Sequence, residues 1–447
     1  MRATPQPDAL FTDSTPLKTT QGKGFAVEYS NGRKIAAAVG VTLILASASG
    51  GTSVMNAIVP FLLEGMQVSL TTFMIGPTVA TILSFAMSAI GVKIIDIITP
   101  KWCMLIGTVC SAVTIYMVGT ATSFVFWIIA NILNGIVLAF ATYAAAGGVI
   151  AVFYGKDTQK AFGVVGGLTA LVVAAWMAAT SALLTTMTYS QLFTIYAVGV
   201  LVIGVVCNFI LIGKVPSRRK EAAGSGTAAS SEKEATDVPG FTFSETLKKG
   251  ASIYCFLIAM FVVAWCASGI TSYASVYYTS FGMAATTAAA MLSIYSFTAA
   301  ILKLASGFIL KKIGPKAMSI VIYLGFALGI VCMLVWSQTQ IAALAVIGIV
   351  FCAFISYATM IPGLFVPDLY GMKDYTGINS AGVAGYYAGA ITVLLGLSIA
   401  IGILGYFNAF VVLAVAAVVA MAFMLVAVAT SPMKKAAKET TKKNLES

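Results

Sequence analysis

Twelve stretches of this chain are apolar for as long as a helix needs to cross a bilayer, and that pattern constrains the fold more than any motif does. About 20 apolar residues in a row span the hydrocarbon layer. Such runs fall near 34–62, 69–92, 102–120, 124–153, 162–186, 190–212, 251–279, 285–310, 317–337, 340–363, 379–401 and 405–430. Lipid offers no water to backbone N–H and C=O groups, so a spanning segment is either a helix or part of a closed barrel. Barrel strands alternate apolar and polar residues over about ten positions; 35–63 and 406–430 are instead apolar over helix length. The expected fold is an all-α membrane protein of 12 transmembrane helices. Of its 447 residues 60% are hydrophobic and 9% charged, against roughly a quarter charged in soluble domains, which excludes a soluble enzyme.

The charges locate the loops. Assigning loops alternately to two sides puts Arg33, Lys34, Lys93, Lys101, Lys156, Lys160, Lys214, Arg218, Arg219, Lys220, Lys248, Lys249, Lys311, Lys312, Lys316, Lys373 and the C-terminal lysines on one side, with no Lys or Arg on the other. The positive-inside rule makes that side cytoplasmic. A multi-pass protein of the cell membrane with both termini in the cytoplasm is expected, and an odd number of spans would spoil the segregation. The 26 basic residues exceed the 15 acidic ones, but they sit in short loops and form no basic face for nucleic acid. Residues 1–33 are polar with no apolar core, a tail and not a signal peptide. Seven cysteines lie in or at the ends of spans with no CxxC pair, and histidine is absent, so neither a disulfide nor a metal site is expected. No phosphate-binding glycine loop occurs, which argues against ATP as the energy source; no cofactor is implied.

Between spans six and seven, 213–250 holds SRRKEAAGSGTAASSEKEATD. This composition cannot build a core and reads as a cytoplasmic linker. It separates a six-helix bundle at 34–212 from a second at 251–430, followed by a cytoplasmic tail at 431–447. The sequence repeats across that boundary. Ala48-Ser49-Gly50-Gly51-Thr52-Ser53 recurs as Ala267-Ser268-Gly269-Ile270-Thr271-Ser272, Gly91…Pro100-Lys101 as Gly307…Pro315-Lys316, Thr142-Tyr143-Ala144 as Ser356-Tyr357-Ala358, and Tyr154-Gly155-Lys156-Asp157 as Tyr370-Gly371-x-Lys373-Asp374. Matches in constant order at a nearly constant offset indicate a parallel duplication. Two bundles related by an axis along the membrane normal can hold a central site and open it alternately to either side.

Gly307-Phe-Ile-Leu-Lys311-Lys312-Ile-Gly314-Pro315-Lys316 resembles the gating-loop signature of the major facilitator superfamily, with Lys311 where an acidic residue is usual. The first-half copy, from Gly91 through Asp96 to Pro100-Lys101, keeps the acid one residue out of register. Within that superfamily the chain is similar to the oxalate/formate antiporter and monocarboxylate transporter branch, through Ser49-Gly50…Asn56…Pro60, Val68-Ser69-Leu70, a span-eight cation before Gly307, and Ser356-Tyr357-Ala358…Pro362…Asp368-Leu369-Tyr370-Gly371. The resemblance implies a secondary transporter. It gives the span-eight cation, Lys303, the task of binding a substrate carboxylate, and it has Tyr143 and Tyr357 line the site.

Lys303 is the one charged side chain clearly inside a span, about 12 Å along the helix from Lys311. A charge there costs about 2.5–3.5 kcal/mol on insertion scales and calls for a reason. Ser293, Ser296, Ala300, Lys303 and Gly307 form a small or polar stripe at helical spacing, which turns Lys303 toward the bundle interior; the alternative is snorkelling to headgroups. No Asp or Glu lies well within a span, so an anionic substrate would supply the missing countercharge. The branch's usual extra groups, an Asp one turn before the cation and a second cation in span eleven, are absent: Ala299 and the region around Tyr386-Tyr387 stand there. One cation without an acid favours a monoanion carried by exchange or facilitated diffusion.

The expected function is therefore transport of a small, monocarboxylate-like organic anion by a monomer. Substrate is expected at Lys303, Tyr357, Tyr143, Asn56 and Ser296, and gating at Gly91, Asp96, Gly307, Lys312 and Gly314. Efflux of an amphipathic solute is the alternative in the same architecture, and a non-transporting membrane sensor is the alternative from another class.

Overall fold

The computed structural model describes residues 29–140, 143–154, 158–213, 240–248, 250–371 and 373–434, with side chains except those of 88–97, 143–145, 147–148, 151, 158–160, 162, 307 and 376. The expected tails, most of the expected linker, and the side chains of Asp96 and Tyr143 thus lie outside the described residues, as do Gly91 and Gly307 at the level of side-chain surroundings. Among the described residues ten helices are long and apolar enough to cross a membrane; one of them, Gly377–Lys434, reverses at Gly405 and supplies two spans. The shorter apolar helix Phe124–Phe140, with Tyr143–Tyr154 after it in the chain, supplies another. Together these make twelve transmembrane helices in two bundles of six.

Membrane helices need a partner for every freed backbone group, and the prolines show how this chain finds them. A proline lacks the N–H that would bond the carbonyl four residues back, and in lipid that carbonyl has no water to turn to. Pro77, inside Leu70–Ile98, frees the Phe73 carbonyl, which accepts from the Trp127 indole at 2.9 Å. Pro367 frees the Gly363 carbonyl, which faces the Tyr375 hydroxyl at 3.5 Å. Pro60 frees the Asn56 carbonyl, and here the donor is Ser275 Oγ at 2.9 Å, from span seven of the other half. Span one accordingly bends at Ile58, between Asn31–Ala57 and Val59–Met66.

The duplication read from the sequence recurs in the backbone. Gly314 breaks Ala285–Thr339 between spans eight and nine with φ 74° and ψ 168°, where an L side chain is strained, and Pro315-Lys316 starts the next helix. The equivalent Thr99, also followed by Pro-Lys, adopts φ 77° and ψ 146°. Thr99 is β-branched, so the first half stores strain at the turn that glycine makes freely in the second.

Across the interface between halves, span five packs on span eight, with Gly167 against Leu304, and span two packs on span eleven, with Phe85 and Tyr387 rings 6.0 Å apart. The far end of the expected linker is pinned to the second half. Phe241 N donates to the Tyr370 carbonyl at 2.9 Å, and Asp374 accepts from Phe243 N at 2.9 Å while capping span eleven through Gly377 N. Glu245 caps this short helix, Phe243–Lys248, by accepting from Thr242 N at 2.8 Å and pairs with Lys373 at 3.4 Å. The Thr242 N–H first, and then the Lys373 ammonium, hold its carboxyl below the usual range.

Candidate functional site

Exposure in a membrane protein has two meanings, and side-chain chemistry separates them: a stripe that meets lipid is apolar, whereas one that meets an internal water-filled space is polar. Span eight shows both. Phe297, Ile301 and Phe308, all exposed, line one side of the helix. Lys303 lies about 140° around the helix from the middle of that stripe, on the side shared with Leu292, Ser296, Ala299 and Leu310, each buried or half-buried. Lys303 itself is half-buried. Exposure on the protein-facing side of a helix is exposure to an interior space. Among the described residues, the ammonium has no ion-pair or hydrogen-bond partner.

Span one carries a polar face of its own. Most of this helix is buried, yet Ser49 is exposed and Thr52, Ser53, Asn56 and Pro60 are half-buried along one face. Ser49 Oγ donates to the Leu45 carbonyl at 2.6 Å, Ser53 Oγ to the Ser49 carbonyl at 3.0 Å, and Thr52 Oγ1 to Asn134 Oδ1 at 3.4 Å. These bonds spend the hydroxyl protons and leave oxygen lone pairs facing the space. The repeat mate of Ser49, Ser268 on span seven, is half-buried beside Tyr386 of span eleven.

The expected site residues do not all meet. Lys303 lies about 27 Å along its helix from Ala285, whereas Ser275, which holds Asn56, lies only about 8 Å from the end of span seven at Ser280. Ala285 and Ser280 flank one short turn, so Asn56 stands near the face opposite the lysines, well beyond the reach of a small carboxylate held at Lys303. Ser296 is committed to the half interface, donating to Met177 Sδ at 2.9 Å. Tyr357 is close to Lys303 in depth: Met360, one turn on, receives Ser306 Oγ at 3.8 Å, and Ser306 is one turn from Lys303. Tyr357 is buried in a 3-10 stretch, Ala353–Thr359, and among the described residues neither its hydroxyl nor that of Ser356 has a partner. Of the gating-loop residues, Gly314 makes the turn after span eight, and Lys312 is exposed there. One feature escapes the sequence reading: the backbone role of Asn56, for which Pro60 four residues on is the signal.

The hydrogen bonds that cross between halves among the described residues cluster away from the basic loops. They are Ser275 to Asn56, Ser181 to Ser293 at 2.9 Å, and Ser296 to Met177. These bonds join the halves toward the face opposite Lys311, Lys312 and Lys373, while nearer those lysines the halves touch through Gly167 and Leu304. Such a bond contributes about 1 kcal/mol net. Replacing Ser275 by alanine is expected to raise the population open on that face about fivefold, read as longer distances between spin labels at positions 64 and 280; an unchanged distribution would remove Ser275 from the closure.

Comparison with known proteins completes the site's context. A family model described as Major Facilitator Superfamily matches residues 41–366. The chain belongs to the major facilitator superfamily. It is a transporter and not an enzyme, and a multi-pass membrane protein. Its fold is similar to the nucleoside transporter NupG (TM-score 0.67, 14% identity, covering 88% of this chain and 98% of that one) and to an aspartate-to-alanine mutant of it (0.70, 13%, 88% and 99%). It is also similar to a bacterial homologue of the human lysosomal transporter Spinster, inward-facing and unoccupied (0.64, 12%, 90% and 98%). No curated protein matches the sequence significantly. At these identities the superfamily structures speak to fold alone.

Proposed function

We propose that this superfamily member carries a small organic monoanion across the cell membrane by alternating access, with exchange or facilitated diffusion as its mode. The observation that carries the reading is Lys303: a half-buried ammonium on the protein-facing side of span eight with no acid among the described residues to neutralise it. A charge held in a low-dielectric wall is stabilised by an arriving carboxylate, and the same energy provides selectivity for anions. The hydroxyl-bearing face of span one supports a polar cargo and opposes an amphipathic one, which would call for an apolar wall. The lack of a neighbouring Asp or Glu on span eight supports exchange over a carboxylate proton relay.

With the basic loops taken as cytoplasmic, the hydrogen bonds of Ser275, Ser181 and Ser296 hold the halves together toward the outside. NupG is a nucleoside transporter by its name, so an uncharged polar cargo is the reading to test against. Counterflow in proteoliposomes against a panel of mono- and dicarboxylates and a nucleoside is expected to show exchange with monocarboxylates alone. Counterflow with the nucleoside, and with no carboxylate, would overturn the proposal.

A further inference from the structure

The ends of spans one, three and six bring two cations together beside exposed aromatic rings. Arg33 and Lys101 are near enough to repel each other. Arg33 is anchored: its guanidinium donates to the carbonyls of Leu211 at 2.9 Å, Ile210 and Ile212, and lies over the Phe153 ring at 5.6 Å. Lys101 is not. Its ammonium stands 4.8 Å from the centre of the Phe209 ring and 5.9 Å from that of Trp102, and among the described residues it has neither a carboxylate nor a hydrogen-bond acceptor. Three N–H donors and a full charge are left for something outside the chain.

The surroundings identify it. Trp102 and Phe209 are 46% and 50% exposed and meet edge to face at 6.2 Å, at the level where an indole marks the border between headgroups and hydrocarbon. From Trp102 an exposed stripe runs down span three through Ile106, Val109 and Val113, and from Phe209 another runs along span six through Val206, Val202 and Val198. The two spans pack together, with Gly204 against Thr108 and Asn208 Nδ2 donating to the Lys101 carbonyl at 3.2 Å. The two stripes therefore border one apolar seam that ends at a pair of cations.

We propose that this seam holds an anionic phospholipid, with its phosphate on Lys101, Arg33 reinforcing the field, and an acyl chain along the stripes of spans three and six. The assignment is independent of the cargo. A free phosphate would satisfy the ammonium but has no use for the seam, whereas a zwitterionic lipid would fill the seam but carries its own cation to the site.

Tryptophan quenching in bilayers tests it, with brominated phosphatidylglycerol and brominated phosphatidylcholine as probes and Trp102→Phe defining the Trp102 component. A lysine near the surface favours anionic lipid by about fivefold. Half-maximal quenching of Trp102 is thus expected at about a fivefold lower mole fraction of phosphatidylglycerol than of phosphatidylcholine. The preference should vanish in Lys101→Gln, persist in Lys101→Arg and shrink as salt is raised. Inorganic phosphate is expected to leave it unchanged. Equal quenching by the two lipids in the wild type, or a preference surviving in Lys101→Gln, overturns the proposal. Loss of the preference with inorganic phosphate, but not with the same ionic strength of chloride, replaces the lipid by a free-anion site. Should Lys101→Gln fail to fold, the wild-type lipid comparison and its salt dependence decide.

Discussion

Replacing Lys303 by alanine is expected to cut carboxylate counterflow at sub-saturating substrate by thirtyfold or more. Truncating one member of a charge pair in a water-poor site costs about 2–5 kcal/mol, and each 1.4 kcal/mol is tenfold. The effect should fall on the apparent affinity for anions, because among the described residues the ammonium has no partner whose loss would disturb the fold. The thermal transition of the alanine variant should match the wild type or exceed it, since removing an unpaired charge from a span removes an insertion cost. Arginine at the same position keeps the charge but exchanges a compact ammonium for a planar fork, so measurable but weakened uptake is expected. Wild-type uptake in the alanine variant would dismiss Lys303 as the anchor, and a large fall in thermal stability would make its role structural.

The second large effect concerns the close approach of spans seven and eleven. A Cβ at Gly389 would fall on the Phe261 carbonyl oxygen and within 2.9 Å of Ala264 Cβ. The first of these is backbone and cannot rotate aside. Gly389→Ala therefore has to push two helices apart, and overpacking of this kind costs about 1–3 kcal/mol, with Gly389→Val at or beyond the upper end. Gly402 lies in the same span with nothing within 4 Å of the added carbon, so Gly402→Ala is the matched control and should be neutral or slightly stabilising through helix propensity. Thermal unfolding of the purified protein measures both. Equal transitions for Gly389→Ala and Gly402→Ala would mean that the helices do not approach this closely.

Particular residues show how far the sequence reaches. The number of spans was legible because it depends on run length alone, and bilayer thickness sets that length. The repeat was legible too: Thr99 and Gly314, matched by their Pro-Lys neighbours, share one backbone conformation. For Lys303, helical spacing singled out the polar stripe, but spacing gives angles relative to the helix itself. Whether that stripe faces lipid or the other helices depends on where Phe297, Ile301 and Phe308 end up.

Asn56 marks the boundary of such reasoning. Its amide attracted attention as a polar group in a span, whereas the structure uses its carbonyl, freed by Pro60 and held by Ser275 219 positions away. Ser296 likewise turned from a candidate ligand into a contact of span five, through Met177.

That this chain lives in lipid, crosses it twelve times and is built twice over from one six-helix plan could be read from the order of its residues, because burial of apolar runs and satisfaction of backbone groups act locally along the chain. Which polar groups face the interior, which of them share a depth, and which are consumed in joining the two halves became visible only with the helices assembled. Those properties depend on the register and rotation of one helix against another, and packing between residues far apart in sequence fixes both.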